Sequence, residues 1–129
     1  MKESALMGIG IDIIKIERMR MLSKDPNALS KIFTPDEIKY CAKMAVPDEH
    51  LAARFAAKEA VIKAATSVGK NLKFTDIEIL NSKNGNPIAV VKSKKFHSNF
   101  HVTISLSHEK EFAIAAAYVV CKAFPQNLK

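Results

Sequence analysis

The chain has 129 residues, 48% hydrophobic and 26% charged, with a mean hydropathy of −0.01, which suits one globular domain over 1–129 and excludes a disordered chain. No apolar run is long enough to cross a bilayer, so no membrane partner is expected. A formal charge of +7 and a pI near 9.5 favour acidic partners, yet Lys and Arg are dispersed and Trp is absent, which argues against nucleic acid.

Met1 to Gly8 lacks the apolar stretch of a secretory leader, and Cys41 and Cys121 have no companion ligands that would suggest zinc. Two free thiols and a cytoplasmic location are therefore expected. Met7 to Ile14 has strand alternation, with Gly8, Gly10, Asp12 and Ile14 on one face. Two readings of the glycines are open: space for a ligand beside the Asp12 carboxylate, or a bulge or close helix contact. Ile14 to about Met21 predicts a first helix with a basic side at Arg18, Arg20 and Lys24, broken by Asp25-Pro26-Asn27.

Thr34-Pro35-Asp36-Glu37 is a helix start with a cap, a first-position proline and a capping-box glutamate, predicting a helix from Pro35 to about Lys43. A longer helix is predicted from about Asp48 to Ala65. It is apolar nearly all round, which implies burial. Its charges fall into two pairs four residues apart, Arg54 with Lys58 and Glu59 with Lys63. The second pair could be a solvated salt bridge worth about 0.2–0.5 kcal/mol, but the surrounding alanines weaken that reading. Gly69 suits a left-handed helix end.

Phe74 to Leu80 and Pro87 to Val91 read as strands joined through Asn84-Gly85, a strong hairpin signal. A short helix or loop, Ser93 to Phe100, precedes a strand from His101 to Ser107. Phe112 to Val120 is the last strand, and its near-continuous apolar run implies cover on both faces. The order of elements predicts an α+β fold, a small and largely antiparallel sheet with helices packed on one side. An apolar edge left over would be buried most simply by self-association.

Asp12 and Glu59 each put a carboxylate into an apolar pattern, which is costly unless a cation meets them. If they converge, two hard oxygen donors suit magnesium completed by water and phosphate. Lys63, Lys58, Arg54 and His108 are candidates to reach a phosphate of the same ligand, and Ser107 with His108 would lie at a sheet end. His108 could equally be a solvated turn histidine. On residues alone, a phosphate-binding module and a magnesium phosphohydrolase stay open beside a transferase.

Gly8-Ile9-Gly10-Ile11-Asp12-Ile13 with Ile16-Glu17-Arg18, Phe33-Thr34, Leu51-Ala52-Ala53-Arg54-Phe55-Ala56-Ala57-Lys58-Glu59-Ala60 with Lys63, Asn84-Gly85 with Pro87, and Ser105-Leu106-Ser107-His108 occur in order. Together they resemble the holo-acyl-carrier-protein synthase family of 4'-phosphopantetheinyl transferases. The resemblance implies a magnesium-dependent enzyme that moves the phosphopantetheine arm of coenzyme A onto a serine of apo acyl carrier protein. Adenosine 3',5'-bisphosphate is released, in support of fatty acid biosynthesis, by a homotrimer with sites between subunits. It further implies that Asp12 and Glu59 hold the metal and that Lys63 neutralises phosphate. Coenzyme A would be bordered by Arg54, Lys58, Lys63, Asn84, Gly85, Pro87, Ser107 and His108, and the carrier would be met by Arg18, Arg20 and Lys24. Glu59 is the first candidate for general base, directly or through water. The chain departs from the family's usual pattern at Ala53, at Asn86 and at Thr66-Ser67-Val68, where glycine, lysine and a glycine-rich turn are common.

Overall fold

The computed structural model describes residues 6–123. The elements follow the order β1 (Met7–Lys15), α1 (Ile16–Leu22), α2 (Pro26–Ser30), α3 (Pro35–Ala42), α4 (Pro47–Ser67), β2 (Ile77–Asn81), β3 (Pro87–Val91), α5 (Lys94–Asn99), β4 (Phe100–His108) and β5 (Phe112–Cys121). Strands β1, β5 and β4 make an antiparallel sheet in that order, while β2 and β3 form a separate hairpin. The expected antiparallel α+β fold is present, divided into these two sheets.

Helix α4 lies across the inner face of the three-stranded sheet. Its buried residues are mostly alanines, and they meet Ala113, Ala115, Ala117 and Val119 of β5, all nearly inaccessible. Small side chains on both partners let the backbones approach closely, and the limit is reached at β1. A Cβ on Gly10 would stand 1.8 Å from the Ala60 carbonyl oxygen, and one on Gly8 would stand 2.2 Å from that of Ala64. The space beside Asp12 left by the missing side chains is thus filled by α4 itself. Of the two readings of Gly8 and Gly10, close helix contact is the one realised.

The local signals explain most element ends. Asp25-Pro26-Asn27 ends α1, but it also starts α2: the Asp25 carboxylate accepts from the amides of Asn27 at 3.0 Å and Ala28 at 3.3 Å, and Pro26 occupies the first turn. Thr34 and Glu37 form both bonds of the capping box at α3. The predicted strand from Phe74 begins three residues late. Asp76 folds back onto the Lys73 amide at 2.8 Å, and this closes Phe74–Asp76 into a single 3-10 turn before β2 starts. Gly69 follows α4 at φ 79°, and Gly85 turns the hairpin at φ 86°.

Strand β5 does not have cover on both faces within one chain. Its inner residues lie under α4, whereas Ile114 and Tyr118 remain 39% and 37% exposed. They pair in register with Ile13 and Ile9 of β1, and Ile9, Ile11 and Ile13 are 72%, 60% and 60% exposed. One side of the sheet is therefore an open apolar face.

Both cysteines are free, Cys41 buried on α3 and Cys121 partly buried at the end of β5. Burial pushes the Cys41 thiol up to about 11, with Arg54 opposing and Glu37 adding to the rise.

Candidate active site

The contact of Gly10 with Ala60 sets the level at which Asp12, two residues further along the same face, meets α4. Lys63 donates to the Asp12 carboxylate at 3.2 Å and to the Ile11 carbonyl at 3.0 Å. The Asp12 side chain is 16% exposed and that of Lys63 52%. Glu59, one turn before Lys63 and half-buried, has its carboxyl raised above the usual range, first by burial and then by the negative charge of Asp12. Lys63 and Arg18 pull it back down. Two carboxylates thus sense each other's charge, with two cations around them, and one chain supplies all four groups.

A second group lies further toward the start of α4. Arg54 is almost fully buried; its guanidinium donates to the Asn81 side chain at 2.6 Å and lies 4.5 Å above the Tyr40 ring. Its Nε is buried with no partner. It lines a cavity of about 320 Å³ with Asp36, Glu37 and Tyr40 of α3 and Ile79, Leu80 and Asn81 of β2. The Asn81 amide in turn donates to the Gly85 carbonyl at 3.2 Å, so the hairpin turn that carries Asn84 and Gly85 and leads into Pro87 is tied to Arg54. His108, at the end of β4, has Nδ1 3.6 Å from the Glu49 carboxylate and its ring edge-on to His50 at 5.7 Å. Burial lowers the pKa of His50, with Arg54 and His108 adding to the fall and Glu49 opposing it.

Glu49, His50 and Asn81 were not among the sequence-derived candidates. His50 had a legible signal, since it stands four residues before Arg54 on the same helix. Asn81 had none, because its pairing with Arg54 spans 27 residues.

Lys58 is a correction. Its side chain is fully buried, and its ammonium donates to Glu37 at 2.6 Å, the Ile32 carbonyl at 2.7 Å and the Phe74 carbonyl at 3.2 Å. An ammonium has three hydrogens to give, and all three are committed inside the protein. As it stands in this structure, Lys58 has no hydrogen left to offer a phosphate. Ser107 and His108 are adjacent on β4 and point to opposite faces of it; Ser107 stands in register with Ile114 on the open face.

On α1, Arg18 lines a groove of about 450 Å³ with Ile14, Met19, Met21, Leu22, Phe55 and the acidic Asp25. Arg20 faces elsewhere, bonded to Glu17 and 3.6 Å from the Asp48 carboxylate. Its charge is largely matched within the chain. Lys24 is exposed beyond the end of α1.

The model of the 4'-phosphopantetheinyl transferase superfamily matches residues 8–117. A holo-(acyl-carrier-protein) synthase of Clostridium tetani is 38% identical over 120 residues, covering 88% of this chain and 95% of the relative. The chain belongs to the holo-(acyl-carrier-protein) synthase family. It is accordingly an enzyme of the phosphopantetheinyl transferase class. Another family member, from Thermodesulfovibrio yellowstonii, is 44% identical over 110 residues, 84% of this chain and 93% of the relative.

Solved structures of the holo-(acyl-carrier-protein) synthase family share the fold. That of Bacillus anthracis, in complex with CoA (3',5'-ADP), superposes with a TM-score of 0.74 at 32% identity over 90% of this chain and 98% of the other. The ACPS–CoA complex of Chronobacterium ammoniagenes gives 0.77 at 26% identity over 92% and 99%.

Proposed function

We propose that this chain transfers the 4'-phosphopantetheine group of coenzyme A to a serine of apo acyl carrier protein, with magnesium, giving holo carrier and adenosine 3',5'-bisphosphate. The observation that carries the reading is the Asp12, Glu59 and Lys63 set, placed beside the Arg18 groove. The kinship with synthases whose structures hold CoA supplies the substrate class.

Magnesium fits the donor set. Asp12 and Glu59 are two hard carboxylates, Glu59 raised first by burial and then by the Asp12 charge, and they would hold a divalent cation that offsets both. Among the described residues, no third His, Cys, Asp or Glu joins them, so the remaining ligands would be water and phosphate, as magnesium prefers. When bound there, the ion supplies charge neutralisation to the pyrophosphate of coenzyme A.

Lys63 is half exposed and shares its hydrogens between Asp12 and a carbonyl. It can turn to a phosphate oxygen and stabilise charge that grows as the bond to the leaving group breaks. Glu59 would serve as the general base, directly or through water: burial and the Asp12 charge raise its carboxyl, and a metal ion held there would lower its basicity again. It would accept the proton of the carrier serine hydroxyl. Arg54, His108 and the Asn84-Gly85-x-Pro87 turn would border the nucleotide, the unpartnered Nε of Arg54 offering a buried donor.

The carrier is an acidic protein partner for the basic side of α1. Arg18 is one of the charges acting on Glu59, so a serine delivered by a carrier docked on the Arg18 groove would arrive beside that carboxylate. The open face of Ile9, Ile11, Ile13, Ile114 and Tyr118 supports a homotrimer. Ser107, in register with Ile114 on that same face, would join a neighbouring subunit's coenzyme site rather than its own. A role in fatty acid biosynthesis in the cytoplasm completes the reading; no helix among the described residues is long and apolar enough to cross a membrane.

Incubation with coenzyme A, magnesium and an apo carrier, followed by mass spectrometry of the carrier, tests it. A gain of the phosphopantetheine mass is expected. No gain with any of several carriers, under conditions where a known synthase modifies them, would overturn the reading.

A further inference from the structure

The buried pair Glu37 and Lys58 has no free valence for a ligand. Both side chains are completely inaccessible. Lys58 gives its three hydrogens to Glu37, Ile32 and Phe74, and Glu37 accepts from Lys58, from the Thr34 amide at 2.8 Å and from the Ile79 amide at 2.7 Å. Burial draws the Lys58 ammonium below its ordinary pKa, and the bond to Glu37 opposes that pull. A buried ion pair often contributes no more stability than well-packed apolar groups of the same volume. What this one provides beyond packing is placement. It fastens to α4 the segment before α3, the first turn of α3, the 3-10 turn at Phe74 and the middle of β2.

Two of those four segments are the walls of the Arg54 cavity. Helix α3 supplies Asp36, Glu37 and Tyr40, and β2 supplies Ile79, Leu80 and Asn81; the Glu37 side chain itself stays inaccessible in that wall. Arg54, one turn before Lys58, bridges the walls through the Tyr40 ring and the Asn81 side chain. The Asp12, Glu59 and Lys63 set depends on a different contact, the seating of β1 against α4 at Gly8 and Gly10. We propose that Glu37 and Lys58 are positioning residues that set the width of the Arg54 cavity, and through it the affinity for the nucleotide end of coenzyme A, without touching the coenzyme. This rests on the reading of the Arg54 cavity as part of the coenzyme site.

The test is the double variant Glu37→Leu with Lys58→Met, which removes both charges together and leaves neither unpaired. Its transfer kinetics with coenzyme A as the varied substrate, and its coenzyme A affinity by calorimetry, are compared with those of the wild type. A KM and a dissociation constant for coenzyme A raised on the order of tenfold, with kcat within about twofold, are expected. A purely structural role would reduce the active fraction, lowering the apparent kcat at unchanged KM. That pattern, or an unchanged dissociation constant in a folded variant, overturns the proposal.

If the double variant does not fold cooperatively, Thr34→Val serves. It keeps the ion pair but removes the hydroxyl that accepts from the Glu37 amide and donates to Glu78 at 2.6 Å. KM should shift in the same direction and by less, and an unchanged KM counts against the proposal. Should the wild type bind coenzyme A without transferring its arm, the transferase reading falls and the calorimetric comparison still judges the pair. Should the wild type transfer and the variants keep their affinity, only the positioning role falls.

Discussion

Lys58 and Lys63 stand five residues apart on one helix and each meets a carboxylate, yet their surroundings assign them opposite work. Lys58 and Glu37 are fully buried at 2.6 Å, with every ammonium hydrogen committed. Lys63 is half in solvent and 3.2 Å from Asp12, with a second carboxylate, Glu59, close enough to feel Asp12's charge. An ammonium saturated by internal acceptors is a fastening. One that is itself half exposed can exchange its carboxylate partner for a phosphate. Both pairs join a lysine of α4 to a carboxylate distant in sequence, and their surroundings in three dimensions separate them.

The largest effect expected from that contrast is on stability. Lys58→Ala leaves the Glu37 carboxylate buried and unpaired and should cost about 3–5 kcal/mol in denaturant unfolding, whereas Lys63→Ala should cost no more than about 1 kcal/mol. Equal losses would dissolve the distinction. Glu59→Gln sharpens it from the other side, with transfer falling on the order of 10²–10⁴-fold while the fold persists; near-normal turnover would remove Glu59 from the chemistry.

The same substitution carries a sign in pH. Because folding raises the Glu59 pKa, the native state binds that proton more tightly than the unfolded chain. The wild type therefore loses stability as pH rises from the unfolded carboxyl value through the raised one. The Gln variant escapes this loss, so its Tm should exceed the wild type's near neutral pH, and the gap should close in acid.

Gly10→Ala, next in size, would press a Cβ into the Ala60 carbonyl and should cost about 1–3 kcal/mol by overpacking. It lifts Asp12 from Glu59 and leaves the Glu37 pair alone, so kcat should suffer more than coenzyme A affinity; the reverse pattern would merge the two regions into one. Arg18→Glu is the mildest. The KM for the carrier should rise on the order of tenfold at unchanged coenzyme A affinity, and equal losses of both would refute that separation.

How far these regions were legible in the chain follows from the range of the interactions. Thr34-Pro35-Asp36-Glu37 announced a helix start because capping is local, and both predicted bonds exist. The other oxygen of Glu37 reaches the Ile79 amide 42 residues away, and no spacing rule encodes that. Hence Lys58 read as a phosphate ligand when it is the partner of a capping residue. Asp12 and Glu59 stood out because each broke an apolar pattern, and Lys63 because it follows Glu59 by one turn; the glycines beside Asp12 were ambiguous until α4 was seen to occupy the space. Asp25-Pro26-Asn27 was read as an end only, although the chemistry that stops one helix also caps the next. The apolar run of β5 predicted cover on both faces, and a single chain provides it on one, because residue pattern does not tell an inner face from an apolar face left open.

Cys41 gives the molecule a built-in reporter. With its thiol held at about 11, only about one molecule in ten thousand carries the reactive thiolate at neutral pH, and the sulfur is sealed beneath α3 besides. Alkylation must wait for α3 to swing away from α4. The rate at which an alkylating reagent marks this cysteine therefore counts excursions of that helix, a clock running inside the native protein with no label engineered into it.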